Sequence, residues 1–131
     1  SKAMKFKNVY KWYFGLESAL KLNNLTHETF FVDTIINSKI KNNKPLSILG
    51  RRVKFTKVLG LDYSFGIKSE KIGSEIFYYS DSERTILDIV YIGKYNGKSN
   101  NEILREIREY TGLNVKKYYS YYPKTIQEVF K

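Results

Sequence analysis

Residues able to do acid–base or nucleophilic chemistry are scarce in this chain, and their spacing works against catalysis. His27 is the only histidine and there is no cysteine, so neither a Cys/His pair nor a thiolate metal site can form. A Ser/His/Asp arrangement would rest on a histidine in a Thr-rich loop with no nucleophile elbow nearby. Metal-dependent nucleases of the restriction type need a carboxylate, one spacer and a lysine, which set metal ligand and general base on one strand face. No Asp or Glu here has Lys two positions later. A nucleotidyltransferase would need two strand carboxylates at short spacing after a Gly-Ser pair, and Gly73-Ser74-Glu75 lacks the second acid. Gly15 and Gly66 are isolated, so no glycine-rich loop cradles a phosphate. The expectation is a non-enzyme with no catalytic residue, no metal site and no cofactor.

Binding chemistry is better represented. Residues 34–61 carry seven cations (Lys39, Lys41, Lys44, Arg51, Arg52, Lys54 and Lys57) and no anion, against +2 for residues 1–33 and +1 for residues 62–131. A diffuse lysine excess says little, whereas a concentrated one suggests an anionic partner. Arg52 and Lys54, two residues apart on a strand, stand about 7 Å from one another, close to phosphate spacing along a nucleic acid. Arg51-Arg52 at a hairpin tip would make forked contacts to phosphates or carboxylates. No helix presents Arg, Asn or Gln for base reading, so nucleic-acid binding would be sequence-tolerant. An acidic protein surface would use the same charges, and a solvated lysine-rich loop is the plain alternative. A secondary cluster, Lys116, Lys117, Tyr119 and Tyr121 within Tyr118-Tyr119-Ser120-Tyr121-Tyr122, reads either as a base-stacking surface or as an extended segment packed against a sheet.

The elements that position these residues follow from pattern. Residues 13–22 read as helix, with Leu16, Ala19 and Leu20 on one face. Residues 30–36 read as strand, and residues 46–49 and 53–58 as a hairpin around Gly50-Arg51-Arg52. Val53 and Phe55 should face inward and Arg52, Lys54 and Thr56 outward, with Lys57 marking a bulge or the end of that face. Strands are expected near 65–68 and over 76–79. Ser80 and Glu83 form a capping box for the helix that follows, where Ile86, Leu87, Ile89, Val90 and Ile92 are apolar almost all round. Asp88, one turn after Arg84, reads as an intrahelical ion pair or as an acceptor for a neighbouring backbone turn. Ser99 and Glu102 form a second capping box, with Gly112 as C-cap, and Pro123 opens a short last helix. The order gives an α+β domain with a small mixed or antiparallel sheet covered by three to four helices. Ser1 to Ala3 read as a cloning scar, leaving residues 4–131 as one domain. No apolar run reaches the ~20 residues of a membrane span, so no membrane partner is expected.

The ordered string Ser80-Asp81-Ser82-Glu83-Arg84-Thr85-Ile86-Leu87-Asp88 resembles the signature near the end of the AbiEi-type antitoxin domain of type IV toxin–antitoxin systems. The likeness extends upstream in order. Tyr13-Phe14-Gly15-Leu16-Glu17-Ser18-Ala19-Leu20 is similar to the family's opening helix, and residues 32–36 to its first strand. Residues 48–55 resemble its central hairpin, and Phe65-Gly66 a short motif between strands, so residues 10–93 are covered in all. The resemblance implies a cytoplasmic antitoxin domain that counters a cognate nucleotidyltransferase-like toxin, with autoregulation when a winged helix is attached. It also implies that Ser80, Glu83, Arg84 and Asp88 form a fold-defining corner between helix and sheet. Family members carry an N-terminal winged helix-turn-helix, whereas this chain enters the antitoxin-like region at about residue 10. It is then either an excised C-terminal domain or a protein without a DNA-reading head. A basic, sequence-tolerant nucleic-acid-binding domain of a transcriptional regulator is the alternative.

Overall fold

The structure, a computed structural model, describes residues 12–131 apart from Asn43 and Leu49. The scar at Ser1 to Ala3 and the expected end of a strand at Leu49 lie outside the described residues. Six strands form one mixed sheet in the order β3-β4-β2-β1-β6-β5. They are β1 (Trp12–Phe14), β2 (Val32–Asn37), β3 (Leu46–Ile48), β4 (Arg51–Lys57), β5 (Ile67–Ile72) and β6 (Glu75–Ser80). Four α-helices accompany them: α1 (Leu16–Leu22), α2 (Ser82–Tyr95), α3 (Asn100–Ile107) and α4 (Lys124–Glu128), with a 3-10 helix at Val115–Tyr121. The domain is α+β, as the pattern predicts. No helix among the described residues is long and apolar enough to cross a membrane.

The sheet's centre is its least local part. β1 pairs antiparallel with β2 and parallel with β6, Phe14 lying opposite Tyr79. Residues 13 and 14, expected as the start of a helix, are therefore strand. Trp12, Tyr13 and Phe14 are all good strand formers, and pairing on both sides fixes them extended before α1 begins at Leu16. β2 and β4 run parallel in unbroken register from Val32–Arg52 to Asn37–Lys57, so Lys57 ends the strand and is no bulge. In the β3–β4 hairpin Ser47 pairs with Arg52 and Ile48 with Arg51. The turn is thus centred on Gly50 at φ +78°, and both arginines belong to β4 instead of the tip.

Two apolar clusters hold the layers. Tyr13, Ile36, Leu61 and Tyr78 join sheet to helix; Leu20, Ile86, Leu87, Val90, Ile103, Ile107, Ile126 and Val129 join the helices. The two expected capping boxes differ in outcome. Ser99 accepts from the Glu102 N–H and the Glu102 side chain returns to the Ser99 N–H, as expected. At α2 the N-cap is Asp81, not Ser80: Asp81 Oδ1 accepts from the Arg84 N–H at 2.8 Å. Ser80 is instead the last residue of β6, paired to Ile67, and its hydroxyl bonds Thr85 Oγ1 at 2.7 Å. Sheet pairing extends one residue further than the capping pattern shows, and the cap moves with it. α3 ends at Ile107, so Gly112 is a turn residue beyond it at φ +78° and not its C-cap. Tyr118 to Tyr122, expected as extended, mostly wind into the 3-10 helix, where Tyr118, Tyr119 and Tyr122 pack on the helical core.

Candidate functional site: a buried signature network and a two-sided groove

Arg84 and Asp88 form the expected intrahelical ion pair, 3.4 Å apart and almost wholly buried. Its surroundings come from four parts of the chain. Tyr13 on β1 donates to Asp88 Oδ2 at 2.5 Å and Tyr122 donates to Oδ1 at 2.7 Å. Arg84 donates to the Tyr13 hydroxyl at 3.1 Å and to the carbonyls of Asp62 (2.7 Å) and Phe65 (2.9 Å). Its guanidinium also lies over the rings of Tyr13 and Phe65. Beside it Gly66 accepts from the Asp81 N–H at 2.8 Å, and Asp81 takes the Tyr118 hydroxyl. A buried ion pair with its remaining donors and acceptors satisfied fixes geometry more than it adds stability. This is the corner between helix and sheet, built around Arg84 and Asp88, with Ser80 contributing through Thr85. Glu83 faces outward and takes Lys117 at 3.4 Å.

The network has a pH consequence. Burial, then Asp88, holds the Tyr13 and Tyr122 hydroxyls above their ordinary range. Burial would lower Arg84, but Asp88, Tyr13 and Tyr122 together raise it. The folded state keeps the tyrosine protons more tightly than the unfolded chain, where Tyr titrates near pH ~10. Their contribution is therefore complete below about pH 10 and is lost as pH rises toward the folded values. The urea midpoint should stay level up to about pH 9 and fall beyond about pH 10, less steeply in Tyr122→Phe. Equal alkaline slopes in the two proteins would count against this assignment.

The basic segment has a different architecture. Paired positions share a face, so Arg52, Lys54 and Thr56 lie with Val32, Thr34 and Ile36, while Val53, Phe55 and Lys57 lie with Asp33, Ile35 and Asn37. Val53 is buried and Arg52 and Lys54 exposed, as expected. Yet the face of Arg52 and Lys54 is the one that carries Ile36, and so the one packed by Leu16 of α1 and Ile92 of α2. Arg51 points the other way and is neutralised by Asp33 in a bidentate pair at 2.6 and 3.0 Å. The seven cations do not form one surface.

Two asparagines hold the lysine-bearing loop. Asn37 Oδ1 accepts from the N–H groups of Lys39 (2.8 Å) and Ile40 (2.6 Å), and its amide reaches the Ile40 carbonyl at 3.0 Å. Asn42 bonds the edge of β4 beyond the short β3, accepting from the Phe55 N–H at 2.9 Å and donating to the Val53 carbonyl at 3.3 Å. Lys39, Lys41 and Lys44 are exposed there, with no ion pair among the described residues.

Lys41, Lys54 and Lys57, the last from the end of β4 and not from the face of Lys54, line the strand side of a groove of about 910 Å³ between β4 and the helices. Leu20, Phe30, Ile89 and Ile92 contribute apolar lining, and Glu17, Glu28 and Glu106 stand on the helical side. Glu106 is spent on Lys98 at 2.5 Å. Tyr110, also lining the groove, has its hydroxyl pushed up to about 12, by burial first and then by Glu109, Glu28 and Glu17. The groove is basic on one side and acidic on the other. The acidic side was not legible in the charge count, since Glu17 and Glu28 lie before the basic segment and Glu106 well after it.

The secondary cluster is dispersed. Tyr121 stacks on Phe65 at 4.0 Å, Tyr119 packs near Phe130, Lys117 pairs with Glu83 and Lys116 is exposed. Compared with protein-family models and with curated proteins, the chain matches none of them.

Proposed function

We propose that this chain is an antitoxin-like effector domain of the type IV class, countering a nucleotidyltransferase-like toxin in the cytoplasm. In a protein that also has a DNA-reading head, it would be linked to transcriptional autoregulation. One observation carries the reading: the five stretches that resemble the family are neighbours in space. Residues 32–36 lie against both β1 and β4, while Tyr13, Phe65, Gly66, Arg84 and Asp88 meet around one buried ion pair. The test is co-expression with a growth-arresting nucleotidyltransferase-like toxin from the same genome. Restored growth is the expected outcome; continued arrest alongside soluble, folded domain would sink the proposal.

Binding of nucleic acid through phosphates is a second reading, favoured by Arg52 and Lys54 exposed on one face of β4. It requires affinity for duplex DNA or single-stranded RNA that falls by orders of magnitude between about 50 and 200 mM salt. The carboxylates opposite Lys54 weigh against it.

A further inference from the structure

We infer that the groove between β4 and the helices is a docking site for an amphipathic helix of a protein partner, one carrying acidic residues along one flank and basic residues along the other. The inference goes beyond the antitoxin reading, which names no occupant for this groove. Four features select this occupant. The lining is apolar where Leu20, Phe30, Ile89 and Ile92 contribute, which suits the i, i+3, i+4, i+7 anchors of a helix laid in a groove. The mouth carries Leu59 and Tyr95, exposed by 76 % and 82 %, side chains that gain by being covered.

Charge then decides between partners. Lys41, Lys54 and Lys57 on the strand side, and Glu17 and Glu28 on the helical side, have no ion pair among the described residues. A polynucleotide, negative along both edges, would meet Glu17 and Glu28 with like charge, whereas a helix with unlike flanks answers both walls. The size agrees. A helix about 10 Å across rising 5.4 Å per turn occupies roughly 400 Å³ per turn, so the groove takes about two turns.

The experiment uses three fluorescein-labelled 15-residue helical peptides with the same leucine anchors. One has glutamate on one flank and lysine on the other, one glutamate on both, and one lysine on both. Anisotropy at physiological salt should show the mixed peptide binding tightest. Lys54→Glu combined with Lys57→Glu, both at exposed positions, should weaken it about tenfold or more. Lys124→Glu on α4 should leave it unchanged, and a 15-nucleotide oligouridine should not displace it. Three results would each overturn the inference: no binding of the mixed peptide, tightest binding of the all-glutamate peptide, or displacement by oligouridine. Toxin rescue without peptide binding would remove the groove and leave the antitoxin reading. Peptide binding without rescue would do the reverse.

Discussion

Asp88→Ala is expected to destabilise the domain by about 3–5 kcal/mol, the range for removing one partner of a buried ion pair. The substitution leaves the Arg84 guanidinium, 3 % exposed, without its counter-ion. It also strips the Tyr13 and Tyr122 hydroxyls of their acceptor. Arg84 would keep the carbonyls of Asp62 and Phe65 and the Tyr13 hydroxyl as acceptors, which solvate a cation but do not neutralise it. Asp88→Asn retains an acceptor for one hydroxyl and should cost less. Urea unfolding with an unchanged slope and a lowered midpoint is the measurement. A loss below about 1 kcal/mol, typical of an exposed pair, would refute the structural role. So would a folded mutant that had lost only its partner.

Gly66→Ala should be nearly as damaging, for a steric reason. Gly66 sits at φ +59°, and a Cβ there would meet Arg84 Cβ at 2.8 Å and Tyr118 Cε2 at 3.1 Å. Left-handed strain of about 1–2 kcal/mol adds to overpacking of about 1–3 kcal/mol. The Arg84 Cβ belongs to a buried helix and cannot swing aside. Gly73 is the internal control: its φ is +62°, yet nothing lies within 4 Å of an added Cβ. Gly73→Ala should therefore show the strain alone. Equal losses at the two positions would mean that the close approach at Gly66 carries no energy.

The contrast between these glycines shows what could be read from the chain and what could not. Both look like turn punctuation in sequence; only Arg84 and Tyr118, brought back by the fold, tell them apart. The same holds for the helix starts. Ser99 opens its helix after a loop, so the local pattern sufficed, whereas Ser80 is claimed by strand pairing with Ile67 and yields the cap to Asp81. Tyr13 and Phe14 read locally as helix because their extended state depends on β2 and β6, the latter some 65 residues away. Arg84 and Asp88 were legible as a pair by their spacing, but Tyr13 and Tyr122 had no local signal pointing to them. In the basic segment, composition found the lysines of the groove. It missed Asp33 against Arg51 and the carboxylates of the opposite wall, which only tertiary proximity reveals. Asn37 and Asn42 did leave a trace, since asparagines after a strand often bond nearby backbone.

The central position of β1 also sets the order in which the molecule can be made. The first described strand to leave the ribosome is an inner strand of the sheet, flanked by β2 and by β6. Its Phe14 waits for Tyr79, and its Tyr13 for Asp88, which Tyr122 then joins from 34 residues further on. Contacts this distant in sequence slow folding and postpone it. The nascent chain can grow α1 and the β2–β4 pair early, but the corner closes only once Tyr122 has joined Tyr13 at Asp88.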